Sequence, residues 1–287
     1  MTLLINLGML LAIAILSAVG IAIIKAIESG FTPIFIGAAR ASFASAAIFL
    51  FCVLSRQSIR PALERSGSMI VLGAVGLATL WSMLPVGEEY ISSAMATLMV
   101  AFVPFTALIV VALPPISARV HWLGWVGLIL GTTGLVLALG PHKLLRTTSE
   151  LTGVAWVAGG YACFGVYCVL AEKLTQGLSP VSVAGVSIFY ASVILWVLAF
   201  LFEAPLIVEP SVNDWSGLLI LAVVCTAIPY FLNFALAQRA GGVFVSLYAY
   251  IMPIVGIGIG YVFFQTAIAW TLLIGLPVTL LGMALVQ

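Results

Sequence analysis

Gly30-Phe31-Thr32-Pro33 opens a long apolar run that ends near Leu54, and Gly177-Leu178-Ser179-Pro180 opens another that ends near Phe202. The two prolines lie 147 residues apart. Pro104 returns as Pro253, 149 residues later, and Trp122, Gly127 and Gly134 return as Trp270, Gly275 and Gly282, each 148 residues later. Three sets of landmarks that keep nearly one spacing mark an internal duplication, with a first copy over residues 1–143 and a second over 144–287. If each copy crosses a bilayer an odd number of times, the second copy sits upside down relative to the first.

Composition supports that setting. Only 7% of the 287 residues are charged and 64% are hydrophobic, far from the roughly one-quarter charged content of ordinary soluble domains. The apolar runs suit helices of about 20 residues crossing about 30 Å of hydrocarbon, and not the ten-residue alternation of a membrane barrel. Apolar blocks between polar breaks predict ten helical spans, near 3–24, 32–54, 68–86, 91–113, 120–139, 152–171, 180–202, 215–236, 243–264 and 267–286. The expected fold class is therefore an all-α integral membrane protein of ten transmembrane helices, in two inverted five-helix repeats around a central cavity. The first apolar run has no basic n-region and no clear cleavage site, so it reads as a retained span.

Arg56, Arg60, Arg65, Arg119, Lys173 and Arg239 fall in loops on the amino-terminal side, against Lys25, Lys143 and Arg146 on the other. This asymmetry predicts that both termini are cytoplasmic. The four cysteines lie in apolar stretches without metal-ligand spacing, and His121 and His142 fall in loops, so neither a disulfide nor a metal site is expected. No cofactor is expected. A net charge of +1 with scattered basic residues carries no nucleic-acid signature. The chain has no phosphate-cradling Gly-x-x-x-x-Gly-Lys motif and no arrangement suited to nucleophilic or paired-carboxylate catalysis, so an enzyme is not expected.

Candidate functional residues cluster around helix breaks. Pro104 and Pro253 remove one helical hydrogen bond each and press on the carbonyls of Val100 and Ala249, so bends are expected there. Paired interruptions in corresponding spans point to a hinge or a binding site, and Pro85 and Pro229 add less well matched bends. Polar aromatics surround them: Trp81, Trp156, Tyr161, Tyr230, Tyr248 and Tyr250, with Asn233 and with Met99 at the repeat position of Tyr248. Their polar atoms need partners in hydrocarbon, which favours a wet cavity or a neighbouring helix over lipid. Arg40 is the deep intramembrane charge, about 12 Å inside its span by helical rise, and Lys25 ends the first span. Arg40 suits either a functional site or a structural clamp on helix ends. The glycine spacings Gly127, Gly131, Gly134 and Gly256, Gly260 permit close helix contact, and also suit a seam between two copies of the chain.

Taken in order, Gly30-x-x-Pro33 with Arg40, Ser93-Ala94-x-Ala96-x-Leu98 with Pro104, and the glycine-spaced span at Gly127, Gly131 and Gly134 resemble the EamA-type transporters of the drug/metabolite transporter superfamily. The second half repeats the pattern with Pro180, Pro253, Gly275 and Gly282. Within that superfamily the chain looks most like the bacterial aromatic amino acid exporters of the inner membrane. The resemblance implies ten helices around a cavity lined mainly by spans 1, 3, 4, 6, 8 and 9. Two departures stand out: Ser187 occupies the repeat position of Arg40, and Leu16-Ser17-Ala18-Val19-Gly20 replaces a common tryptophan-glycine pair.

The expectation is an inner-membrane secondary transporter that exports aromatic and other apolar amino acids by alternating access. The first span carries no buried glutamate for proton/cation exchange, and the spans lack the basic residues a phosphorylated substrate needs. Alternatives are a broad-specificity metabolite or drug exporter and, from a different class, a passive channel or a membrane scaffold. The expected partners are a small-molecule substrate and the lipid bilayer.

Overall fold

A computed structural model describes residues 2–91, 96, 99–100, 102–114, 116, 121–139, 148–204, 209–255 and 270–286. Among them the fold is all helical, with no strand. In chain order the helices are α1 (Thr2–Ile27), α2 (Pro33–Leu54), the short α3 (Arg60–Glu64), α4 (Ser66–Glu88), α5 (Phe102–Ala112), α6 (Trp122–Leu139), α7 (Thr148–Leu174), α8 (Pro180–Phe202), α9 (Val212–Ala240), α10 (Gly242–Val255) and α11 (Trp270–Val286). Six of these, within α1, α2, α4, α7, α8 and α9, are long and apolar enough to cross a membrane. Large apolar side chains such as Leu54, Val53, Phe200 and Phe202 are more than two-thirds exposed, which water disfavours and lipid accommodates. This is a multi-pass membrane protein.

Local chemistry sets the helix starts. Pro33 and Pro180 occupy the first turns of α2 and α8, where a missing N–H costs nothing. Ser211 and Asp214 form a reciprocal capping box at the start of α9: the Asp214 amide donates to Ser211 Oγ at 3.3 Å and the Ser211 amide to Asp214 Oδ2 at 2.7 Å. The loop glycine of the repeated motif serves two different needs. Gly177 turns the chain at φ +78°, a left-handed conformation that favours glycine, whereas at Gly30 a Cβ would sit 3.0 Å from both Asp214 and Pro210.

The most extensive contacts join helices at corresponding positions of the two halves, α2 with α8 and α6 with α11. The Trp196 indole N–H of α8 donates to Ser42 Oγ of α2 at 2.9 Å, and its ring meets Phe35 edge-on at 5.5 Å. Along α6 and α11 the backbones touch through glycine: a Cβ on Gly134 would lie 2.8 Å from the Gly275 carbonyl, and one on Gly282 would lie 2.6 Å from the Cα of Gly131. Gly134 meets Gly275 while Gly131 meets Gly282, so the two helices run antiparallel. The α6 glycine face is thus filled by the chain's own α11; Gly256 and Gly260 lie outside the described residues.

Two helices leave the α-helical path at matching places. A π-turn spans Gly73–Ala78 in α4 and another Val223–Ala227 in α9, 150 residues apart at their first residues. Thr79 and Thr226 each return a hydroxyl to the carbonyl five residues earlier, Ala74 at 2.7 Å and Leu221 at 2.7 Å. π-turns of this kind gather at functional sites.

The proline positions resolve individually. Before Pro104 the helix is interrupted at Val100, whose carbonyl accepts from the Val103 amide at 3.0 Å. In α10 the interruption falls at Leu247, six residues before Pro253, and not at Ala249. Pro85 lies inside the last turns of α4, and Pro229 lies two residues past the π-turn of α9.

Candidate functional site: a one-ended cavity above Arg40

The helix ends of the bundle carry different chemistry. At one end the chain leaves α1, enters α2, and leaves α4 and α8. Here Glu203, just past α8, reaches the start of α2: its carboxylate accepts from Thr32 Oγ1 at 2.6 Å, the Ile34 amide at 2.6 Å and the Phe35 amide at 2.9 Å. A carboxylate on exposed N-terminal amides meets both their unsatisfied donors and the positive end of the helix dipole.

Beside this clamp a cavity of about 570 Å³ opens between α1, α2 and α4. Glu28 and Glu89, both exposed, lie at its mouth together with Glu88, and Pro33, Ile36, Gly37, Leu84 and Pro85 form its walls. Its floor is Arg40 and Trp81. The guanidinium carbon stands 4.2 Å from the centre of the Trp81 ring, a cation–π contact. Arg40 is 9% exposed and Trp81 4%. Gly37, one turn before Arg40, makes room for this arrangement, because a Cβ there would meet the Trp81 carbonyl at 3.1 Å.

Below the floor the space narrows. A void of about 70 Å³ continues past Arg40 and Trp81 among Ser17, Gly20, Tyr161, Cys225, Tyr230, Tyr248 and Met252. A further one of only about 20 Å³ lies among Ile13, Ser17, Phe164, Pro229, Tyr230, Asn233 and Tyr248. Aromatic rings fill the centre: Trp81 meets Tyr230 edge-on at 5.3 Å, and Phe164 lies 6.2 Å from both Tyr230 and Tyr248. Two polar atoms here, Tyr167 Oη and Asn233 Oδ1, are buried without a hydrogen-bond partner. Buried polar atoms without partners are costly and mark a place where a polar ligand or water belongs.

Among the described residues, polar contacts tie the helices together at the opposite end of the bundle. Gln238 of α9 donates to the Thr175 carbonyl at 2.8 Å, to Thr175 Oγ1 at 3.0 Å and to the Leu178 carbonyl at 3.2 Å. Glu172 accepts from the Gly242 amide at the start of α10 at 2.8 Å and pairs with Lys173. Arg65 donates to the Gln176 carbonyl at 3.2 Å, and the Tyr190 hydroxyl to Ser66 Oγ at 3.0 Å.

Of the residues singled out in the sequence, Trp81, Tyr161, Tyr230, Asn233, Tyr248, Pro85, Pro229 and Arg40 line this series of spaces. The others lie elsewhere. Tyr250 packs its ring over Gly131 and binds α6, donating to the Leu128 carbonyl at 3.2 Å and standing 3.2 Å from Thr132 Oγ1. Trp156 is 42% exposed on the outside of α7, and Met99 packs half-buried against the core. Lys25 lies in α1, but its side chain is outside the described residues, as are Ser93, Ala94 and Leu98 of the sequence motif. The Glu28, Glu88 and Glu89 mouth and the Ser17–Gly20 lining escaped the sequence reading. Glu88 and Glu89 fall between the spans expected at 68–86 and 91–113.

Among the described residues, apolar helices enclose a partly polar cavity that opens at one end of the bundle. Residues 151–287 match the EamA-like transporter family. The match covers just under half of the chain, and it supports the drug/metabolite transporter superfamily and a role in moving small substrates. A solved structure titled "Crystal structure of protein" is similar in fold, with a TM-score of 0.77 at 18% identity, covering 100% of this chain and 97% of that one. No curated protein matches the chain.

Proposed function

We propose that the protein is a secondary transporter of the bacterial inner membrane, with both termini cytoplasmic, that exports aromatic and other apolar amino acids by alternating access. In this reading ten helices form two inverted repeats, residues 1–143 and 144–287, around the substrate path. The single observation that carries the reading is the one-ended cavity. It falls from about 570 Å³ above Arg40 to about 70 and then about 20 Å³ below it, while the far end is tied shut. A path open to one side at a time is what alternating access requires, and a passive channel would need a continuous one.

Support for the repeat comes from the paired π-turns in α4 and α9 and from the antiparallel glycine seam of α6 with α11. The solute size fits: a pocket of a few hundred Å³ lined by aromatic rings with few polar groups suits a small apolar ligand. The π-turns of α4 and α9 and the breaks at Pro104 and Leu247 are the points about which the helices rearrange.

Counterflow in liposomes tests the proposal. Purified protein preloaded with phenylalanine should take up labelled aromatic amino acid saturably, and organic cations should compete poorly. Folded protein that moves none of the twenty amino acids would overturn the amino acid reading, and preferred movement of organic cations would replace it with a drug exporter.

A further inference from the structure

Arg40 sets a problem that the fold alone does not solve. A guanidinium stays charged in any protein environment, and a buried charge is costly unless it is paired and fully hydrogen-bonded. Here nine-tenths of the side chain is out of solvent. One face of the guanidinium rests on the Trp81 ring at 4.2 Å, and Nε is buried with no hydrogen-bond partner. A structural clamp would direct these donors at helix-end carbonyls. Instead Arg40 is common to the large cavity and to the void below it, at the point where the space narrows. The group is under-satisfied and lines both spaces.

The repeat sharpens the point. Ser187, the counterpart of Arg40, is fully buried and satisfies its hydroxyl within its own helix, donating to the Val183 carbonyl at 2.7 Å. The corresponding place in the second half carries no charge. The arginine exists on one side of the pseudo-symmetric pair, the side that carries the cavity.

We infer that Arg40 and Trp81 together form a carboxylate-binding subsite: the guanidinium takes the carboxylate of the substrate, and its apolar body lies against Trp81, Leu84 and Ile36. A planar guanidinium matches a carboxylate with parallel N–H donors, and stacking on an indole holds it in one orientation. The class selected is a small apolar carboxylate, the aromatic amino acids of the proposed function among them. Organic cations of the same shape lack the group that Arg40 requires.

This inference rests on the transport reading of the same cavity, and the experiment separates the two. Purified protein is melted in detergent with phenylalanine, phenylalaninamide or 3-phenylpropionate, and the same ligands compete in counterflow. The wild type should be stabilised by both carboxylates and not by the amide. R40Q should weaken the apparent affinity for both carboxylates by at least about tenfold, the size expected when a charged hydrogen bond is lost, and should bind phenylalanine no better than its amide. R40K, which keeps the charge without the planar fork, should retain a reduced preference for the carboxylates, and it carries the test if R40Q does not fold. Wild-type-like preference for phenylalanine over its amide in either folded variant overturns the subsite while leaving amino acid transport standing. Stabilisation by 3-phenylpropionate that depends on Arg40, without counterflow of any amino acid, keeps the subsite and overturns the transport reading.

Discussion

Arg40 and Ser187 occupy equivalent places, each seven residues into the helix that follows a Thr/Ser-Pro start, yet they stand in opposite surroundings. Each helix packs against the π-turn of the other half: α2 against Val223–Ala227 and α8 against Gly73–Ala78. At Ser187 that contact is closed, because a Cβ on Gly73 would lie 2.7 Å from the Ser187 carbonyl. At Arg40 it is open, and Cys225 of the π-turn shares a void with the guanidinium. One pair of helices therefore seals an end of the bundle while its counterpart lines the cavity. The two contacts are similar in place, and in the proposed reading the residue at one position in each decides which of them holds solute.

Exchanging the two residues should break this comparison most sharply. S187R places an unpaired charge in a sealed contact and is expected to cost about 3–5 kcal/mol, seen as loss of folded protein in detergent. R40S should stay folded, since its counterpart already works with serine. Equal tolerance of both changes would contradict the assignment of open and closed ends.

The antiparallel seam offers the next largest effect. G282L drives a branched side chain into the backbone of Gly127 and Gly131 and should lower stability by about 1–3 kcal/mol or more, measured as a fall in melting temperature. A smaller contrast lies in the caps at the two ends of the α2–α8 pair. Glu203 receives three donors at the start of α2, whereas Gln57 receives one, from Ser179 Oγ at 3.3 Å, at the start of α8. E203Q should therefore cost about 1–2 kcal/mol, and Q57A, at an exposed site, less than about 0.5 kcal/mol. Q238A removes three contacts at the closed end and should cost about 1 kcal/mol. It should also raise labelling of a reporter cysteine at Ser66.

Much of the fold was legible because membrane helices announce themselves by length and apolar content. The spaced landmarks Pro33, Pro180, Gly134 and Gly282 do hold positions where a helix starts or two backbones touch. The π-turns were not legible, since Gly-Ala-Val-Gly-Leu-Ala and Val-Val-Cys-Thr-Ala carry no signal beyond ordinary apolar helix. The site was legible in part. Tyr230, Tyr248 and Asn233 are polar groups in an apolar segment and so point to a cavity. Tyr250 carries the same signal but meets its need on Thr132 and Leu128 of a neighbouring helix. Trp156 follows the other rule for indoles and faces outward. Composition gives the demand for a partner, and only packing decides who answers it.

In the proposed mechanism solute reaches Arg40 from one side of the membrane at a time. Leu84 lines both the large cavity and the void below it, so a single cysteine there, in a chain with Cys52, Cys163, Cys168 and Cys225 replaced, reports directly on access. In oriented vesicles L84C should react with a membrane-impermeant maleimide from the side that carries Glu28 and Glu89, and phenylalanine should slow that reaction. Equal labelling from both sides, unchanged by phenylalanine, would contradict the account.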